Sequence, residues 1–115
     1  MEVNLELYLV HLHAGQWFGF NKKEKTYSNL IILDSQYLKP SEQECLNGIE
    51  QMKLDLSMQV LRNKRNNLLA KTDWSALSDN TMSDAMKTYR QDLRDITAGL
   101  DTVDKVNAVV WPTKP

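Results

Sequence analysis

The spacing of apolar residues changes at Pro40. Before it, Val3, Leu5, Leu7 and Leu9 alternate with polar or amphipathic neighbours, the period-two pattern of a half-buried strand. Gln16–Phe20 is short and aromatic, and Tyr27–Leu33 is rich in strand formers. Ala14-Gly15 and the charged run Asn21–Lys25 are natural turns between them. The pattern predicts a three-stranded antiparallel meander, which is marginal alone and needs a cover on its apolar face.

After Pro40 the period lengthens to three and four. Cys45, Ile49, Met52, Leu56 and Val60 make one stripe, and Leu54, Met58, Leu61, Leu68 and Leu69 make another on roughly the opposite side. A single surface helix needs only one stripe. One long helix over 41–71 with a partner on each side is therefore predicted, the sheet against its first half and the C-terminal segment against its second. Ser41 and Glu44 have the spacing of a capping box, and Glu42 and Glu44 suit the positive end of the helix dipole. Arg62, Lys64, Arg65 and Lys71 stand toward its negative end. Gly48, mid-helix, lets the sheet come close.

Beyond Lys71, Ser83 or Thr81 caps another helix running to about Ala98, with Met86, Tyr89, Leu93 and Ile96 inward. Trp74 is expected to seat between the helices. Arg90 and Arg94 are expected to pair with Asp73 or with helix-end carbonyls. Gly99 suits the end of the helix, Leu100–Lys105 reads as an irregular connection, and Trp111-Pro112 reads as an anchor for the tail. The predicted architecture is α+β: a β module over 1–40, and a helical hairpin with a Trp-Pro tail over 41–115, the long helix shared by both.

Composition narrows the function classes. The 115 residues carry a formal net charge of -1, with 42% hydrophobic and 25% charged residues. That balance gives no field to draw in nucleic acid or an anionic membrane. No basic n-region precedes an apolar run at the N-terminus, and no stretch approaches about 18 apolar residues, so neither a secretion signal nor a membrane span is expected. Cys45, the one cysteine, lies on the first stripe and reads as a buried thiol. His11 and His13 would point the same way on a strand, but no further ligand stands at a matching spacing, so no metal is assigned. No nucleophile elbow, phosphate-cradling glycine loop or carboxylate–histidine arrangement occurs, so no catalytic residue and no cofactor are assigned. Trp17, Phe18 and Phe20 read as core or strand-face residues; the sharper alternative is an aromatic patch that meets a partner.

Three ordered stretches carry a resemblance: Arg62–Trp74, which contains Leu68-Leu69 and Thr72-Asp73-Trp74; Tyr89-Arg90-Gln91-Asp92-Leu93-Arg94-Asp95-Ile96; and Trp111-Pro112-Thr113-Lys114-Pro115. Together they resemble the tail assembly chaperone family of tailed bacteriophages, a module also similar to the ends of some tail-fibre and tail-fibre-assembly proteins. The resemblance implies a protein that works by binding, as a chaperone or as a small tail, baseplate or fibre component. It implies a tail, baseplate or tail-fibre protein as partner, and a place in the host cytoplasm during assembly or in the virion tail. Arg62, Leu68, Leu69, Asp73, Trp74, Tyr89, Arg90, Leu93, Arg94, Trp111 and Pro112 are its motif residues here. The competing class is a small nucleic-acid-binding module that uses Arg62, Lys64, Arg65, Arg90 and Arg94, against which the near-neutral net charge counts.

Overall fold

Asn4 starts a helix where the alternation predicts a strand. In the computed structural model, which describes residues 2–115, its side chain accepts a hydrogen bond from the Leu7 amide at 3.0 Å. That cap opens α1, Leu5–Leu12. Leu5, Tyr8 and Leu9 are spaced by three and four as well as lying in an apolar-rich run, and that face turns inward. The predicted first strand is thus a helix, and the meander reduces to two strands. β1, Phe18–Phe20, pairs antiparallel with β2, Leu30–Ile32, in the register Phe18 to Ile32 and Phe20 to Leu30. The front of the predicted third strand, Tyr27–Asn29, is instead a 3-10 turn.

The described residues fall into two compact units, one ending at Lys53 and the other Leu54–Pro115, with the boundary inside α2, Glu42–Ala70. The fold is α+β but mostly helical. α2 runs 29 residues without a break, and the Glu44 amide donates to Ser41 Oγ at 3.1 Å, one bond of the expected capping box.

The core of the first unit is Leu9, Trp17, Leu30 and Cys45, with Leu5, Tyr8, Phe18, Phe20, Ile32 and Tyr37 packed around it. The Trp17 indole donates to the Leu9 carbonyl at 3.1 Å and so satisfies an orphan acceptor near the end of α1. His13 stacks on Tyr37 and meets Trp17 edge-on. His11 lies within α1 and His13 is its C-cap, so they do not share a strand face.

What comes close at Gly48 is α1, not the sheet. A Cβ there would overlap the Tyr8 ring and lie 2.6 Å from its Cζ. Gly48→Ala should therefore destabilise this unit: overpacking costs about 1–3 kcal/mol, while alanine returns about 1 kcal/mol of helix propensity. In a Tyr8→Ala background only the propensity remains, and the same substitution should become stabilising. Hydrogen exchange of the α1 amides in the four variants reads the change of sign.

Cys45 is a free thiol with 2% of its surface exposed. Burial, then the nearby Glu44, pushes its pKa up. The unfolded thiol ionises first, so the stability from burying the neutral group is complete below about pH 8.5 and is lost as pH rises above it. A disulfide reagent should react slowly with the folded chain at pH 7 and with one thiol per chain in denaturant. Fast labelling of the folded protein would contradict the burial.

Candidate docking surface

The second unit is built around the second stripe of α2. Met58 and Leu61 are buried with Val106, flanked by Leu54, Ile96, Leu100, Val109 and Trp111. Leu68 and Leu69 pack instead against Met86, Tyr89 and Leu93. Those three belong to α3, Asp84–Arg94, whose N-cap is Ser83; its hydroxyl accepts from the Met86 amide at 3.1 Å. The helix stops four residues earlier than predicted. Asp95 is its C-cap, and the β-branched pair Ile96-Thr97 follows in turns up to Gly99, whose φ of +73° suits a residue without Cβ. Ile96 consequently leaves the α3 face for the Met58 cluster. The second half of the connection predicted to be irregular, Leu100–Lys105, instead begins a short helix, α4, Val103–Asn107, with Thr102 as its cap. Beside it, Lys105 holds the exposed Asp101 carboxyl below the usual carboxylate range.

Arg90 is the polar centre of this unit. Its Nη1 donates to the Leu69 carbonyl at 2.9 Å and to Thr72 Oγ1 at 2.6 Å, and its Nη2 donates to Asp73 Oδ1 at 2.9 Å. One guanidinium thus joins α3 to the end of α2. The Leu69 carbonyl has no i+4 amide within the helix, because α2 ends at Ala70. For Arg90 the expected pairing with Asp73 or with helix-end carbonyls occurs as both at once; Arg94 instead donates to Gln91 Oε1 at 3.5 Å on its own helix. Arg90 is 6% exposed, so this cation is inside the unit and not on a phosphate-facing surface.

Trp74 is 56% exposed, contrary to the expected seat between helices. The cause is the change of period. Asp73–Ala76 is a 3-10 turn, where residues three apart eclipse. Thr72 and Ser75 take the inner positions, at 0% and 5% exposure, and Ser75 Oγ donates to the Thr72 carbonyl at 2.6 Å. Trp74 is left on the outside, beside Met82 and Met86.

The remaining motif residues separate into inner and outer. Tyr89 and Leu93 are core, Leu68 and Leu69 are half-buried, and Arg62 and Arg94 are exposed. Trp111 and Pro112 are half-buried; Trp111 touches both apolar clusters, with the Lys64 ammonium 4.4 Å from the ring centroid. In the first unit, Trp17 is 1% exposed, whereas Phe18 and Phe20 keep part of their surface.

Between α2, α4 and the tail lies an open groove of about 430 Å³. Leu56, Val60 and Leu61 line one side, and Val106, Val109 and Trp111 the other, with Lys64 at the edge. Val60, assigned from its spacing to a covered stripe, is 64% exposed. Spacing identifies the α2 side of this groove, but the Lys64–Trp111 contact joins residues 47 positions apart and leaves no local signal.

No group of three or more potential metal ligands occurs among the described residues, and no described helix is long and apolar enough to cross a membrane. A family model described as phage tail assembly chaperone protein matches residues 58–115. No curated protein and no solved structure matches the chain.

Proposed function

The chain belongs to the phage tail assembly chaperone family, and from that premise we propose that it assists assembly of a phage tail or tail fibre by binding a tail, baseplate or fibre protein. The observation that carries the proposal is the coincidence of the matched residues, 58–115, with nearly all of the second compact unit. The motif residues inside that unit build a scaffold: Arg90 ties α3 to the end of α2, and Trp111 ties the tail to both apolar clusters. A scaffold of this kind presents a surface and needs no bond-making chemistry. The host cytoplasm is where such binding takes place during assembly.

Affinity purification of the tagged chain from infected cells, with mass spectrometry of both the eluate and purified virions, tests this reading. A tail, baseplate or fibre protein in the eluate is the expected result. Absence of the chain from virions identifies a transient chaperone, and stoichiometric presence identifies a structural component. An eluate without any tail protein overturns the proposal.

A further inference from the structure

We infer that the groove between α2 and the C-terminal tail receives an amphipathic helix of the partner protein, one that carries aliphatic side chains three or four residues apart and a carboxylate one turn further on. The inference rests on the assembly reading above and adds the chemistry of what is bound.

The groove is lined mainly by apolar side chains, with Ser57 and Asn107 as its neutral polar members and Lys64 as its one charge. Leu56, Val60 and Lys64 follow one another at steps of four on α2, so the wall they form is about 12 Å long, close to two turns of a second helix. Side chains at i and i+4 form the ridges against which another helix packs. Val60, with 64% of its surface in solvent, stands mid-way along this wall with no covering element of its own unit.

Charge selects the occupant. The Lys64 ammonium lies over the Trp111 ring, and among the described residues no carboxylate pairs with it. An aromatic face attracts a cation but does not neutralise it. A helix laid in the groove would draw Lys64 partly out of water, and a carboxylate one turn beyond its aliphatic pair would meet that charge. The recognition mode is helix-in-groove, with apolar anchors for affinity and one ion pair for register.

The probes are overlapping 18-residue peptides that tile the tail proteins of the same phage, titrated against the full-length chain. The peptides that bind should share the aliphatic pair and the carboxylate. Val60→Asp, which places a charge against the apolar wall, should raise Kd at least about tenfold. Lys64→Glu should raise it about fivefold to tenfold, and replacing the peptide's carboxylate by lysine should restore binding to that variant. Both positions are exposed, so circular dichroism should show an unaltered fold. If Val60→Asp alone misfolds, the Lys64→Glu charge swap decides the matter. The inference is overturned if no peptide binds, if binding ignores Lys64, or if sedimentation shows that Val60 instead holds two copies of the chain together. The two readings fail differently: a wild-type chain that retains no tail protein removes both, while a Val60→Asp chain that still retains one removes only the groove.

Discussion

Arg90→Ala should destabilise the second unit by about 2–5 kcal/mol, the range for truncating a long buried side chain to alanine. The loss is larger than one ion pair because three acceptors are involved. The Leu69 carbonyl and Thr72 Oγ1 lie on the protein side of the contact, and Thr72 is 0% exposed. Without the guanidinium the Leu69 carbonyl keeps the Thr72 amide at 3.1 Å and the Thr72 hydroxyl at 3.2 Å as donors, and Thr72 Oγ1 keeps its bond to that carbonyl. Each therefore loses a charge-assisted bond, worth about 1.5–3 kcal/mol, without being left unpaired. Asp73 stands in a different position. Its side chain is 64% exposed although its partner is only 8% exposed, so its charge is largely satisfied by solvent. Asp73→Asn should therefore cost under about 1 kcal/mol. Arg90→Lys should fall between, because one ammonium cannot reproduce the planar fork that reaches Leu69, Thr72 and Asp73 together. Arg90 Nε is buried without a partner, which shows that the whole side chain is desolvated and not only its tip. Since the chain has two units, a single melting temperature is an unsafe readout. Hydrogen exchange of the α3 amides isolates the effect. Equal losses for Asp73→Asn and Arg90→Ala would mean that the ion pair, and not the grip on the end of α2, holds the unit.

The parts of this fold that were legible in the sequence are those where local chemistry and tertiary packing agree. α2 is one: Ser41 and Glu44 mark its start, and the Leu54, Met58 and Leu61 spacing marks its inner face, as found. The start of α3 is another, where Ser83 and the Met86, Tyr89 and Leu93 spacing agree. The segment 3–9 carries two compatible patterns, because leucines at 5, 7 and 9 satisfy a period of two while Leu5, Tyr8 and Leu9 satisfy a helix. The decisive signal was Asn4, a strong helix cap three residues before the amide it receives. The position of Trp74 was less accessible. Its exposure follows from a switch of helical type after Ala70, which size and hydrophobicity do not report. The motif resemblance identified the family, while what binds in the groove depends on contacts such as Lys64 with Trp111 that only the folded chain brings together.

Trp17→Ala should be the most damaging single change in the first unit, at about 3–5 kcal/mol. Three roles converge on this indole. It fills the core with Leu9, Leu30 and Cys45; it meets His13, Phe18 and Tyr37 edge-on; and its N–H satisfies the Leu9 carbonyl. Trp17→Phe separates these roles. It keeps an aromatic ring in place but removes the donor, so its cost should reflect lost volume together with the orphaned carbonyl, at about 1–3 kcal/mol for the latter. Trp74→Ala is the control, since with 56% of its surface in solvent it has far less burial to lose. The identity of the residue is the same in both cases, so the difference measures environment alone. A unit with two short strands, one short helix and the first part of α2 has little other apolar volume to redistribute. Loss of Trp17 should therefore expose Cys45 to thiol reagents at pH 7 in the same experiment that records unfolding. Rapid labelling of Cys45 in Trp17→Ala, with protection retained in Trp74→Ala, is the expected pair of results. Protection in both would show that Leu9, Leu30 and the surrounding aromatics close the core without the indole.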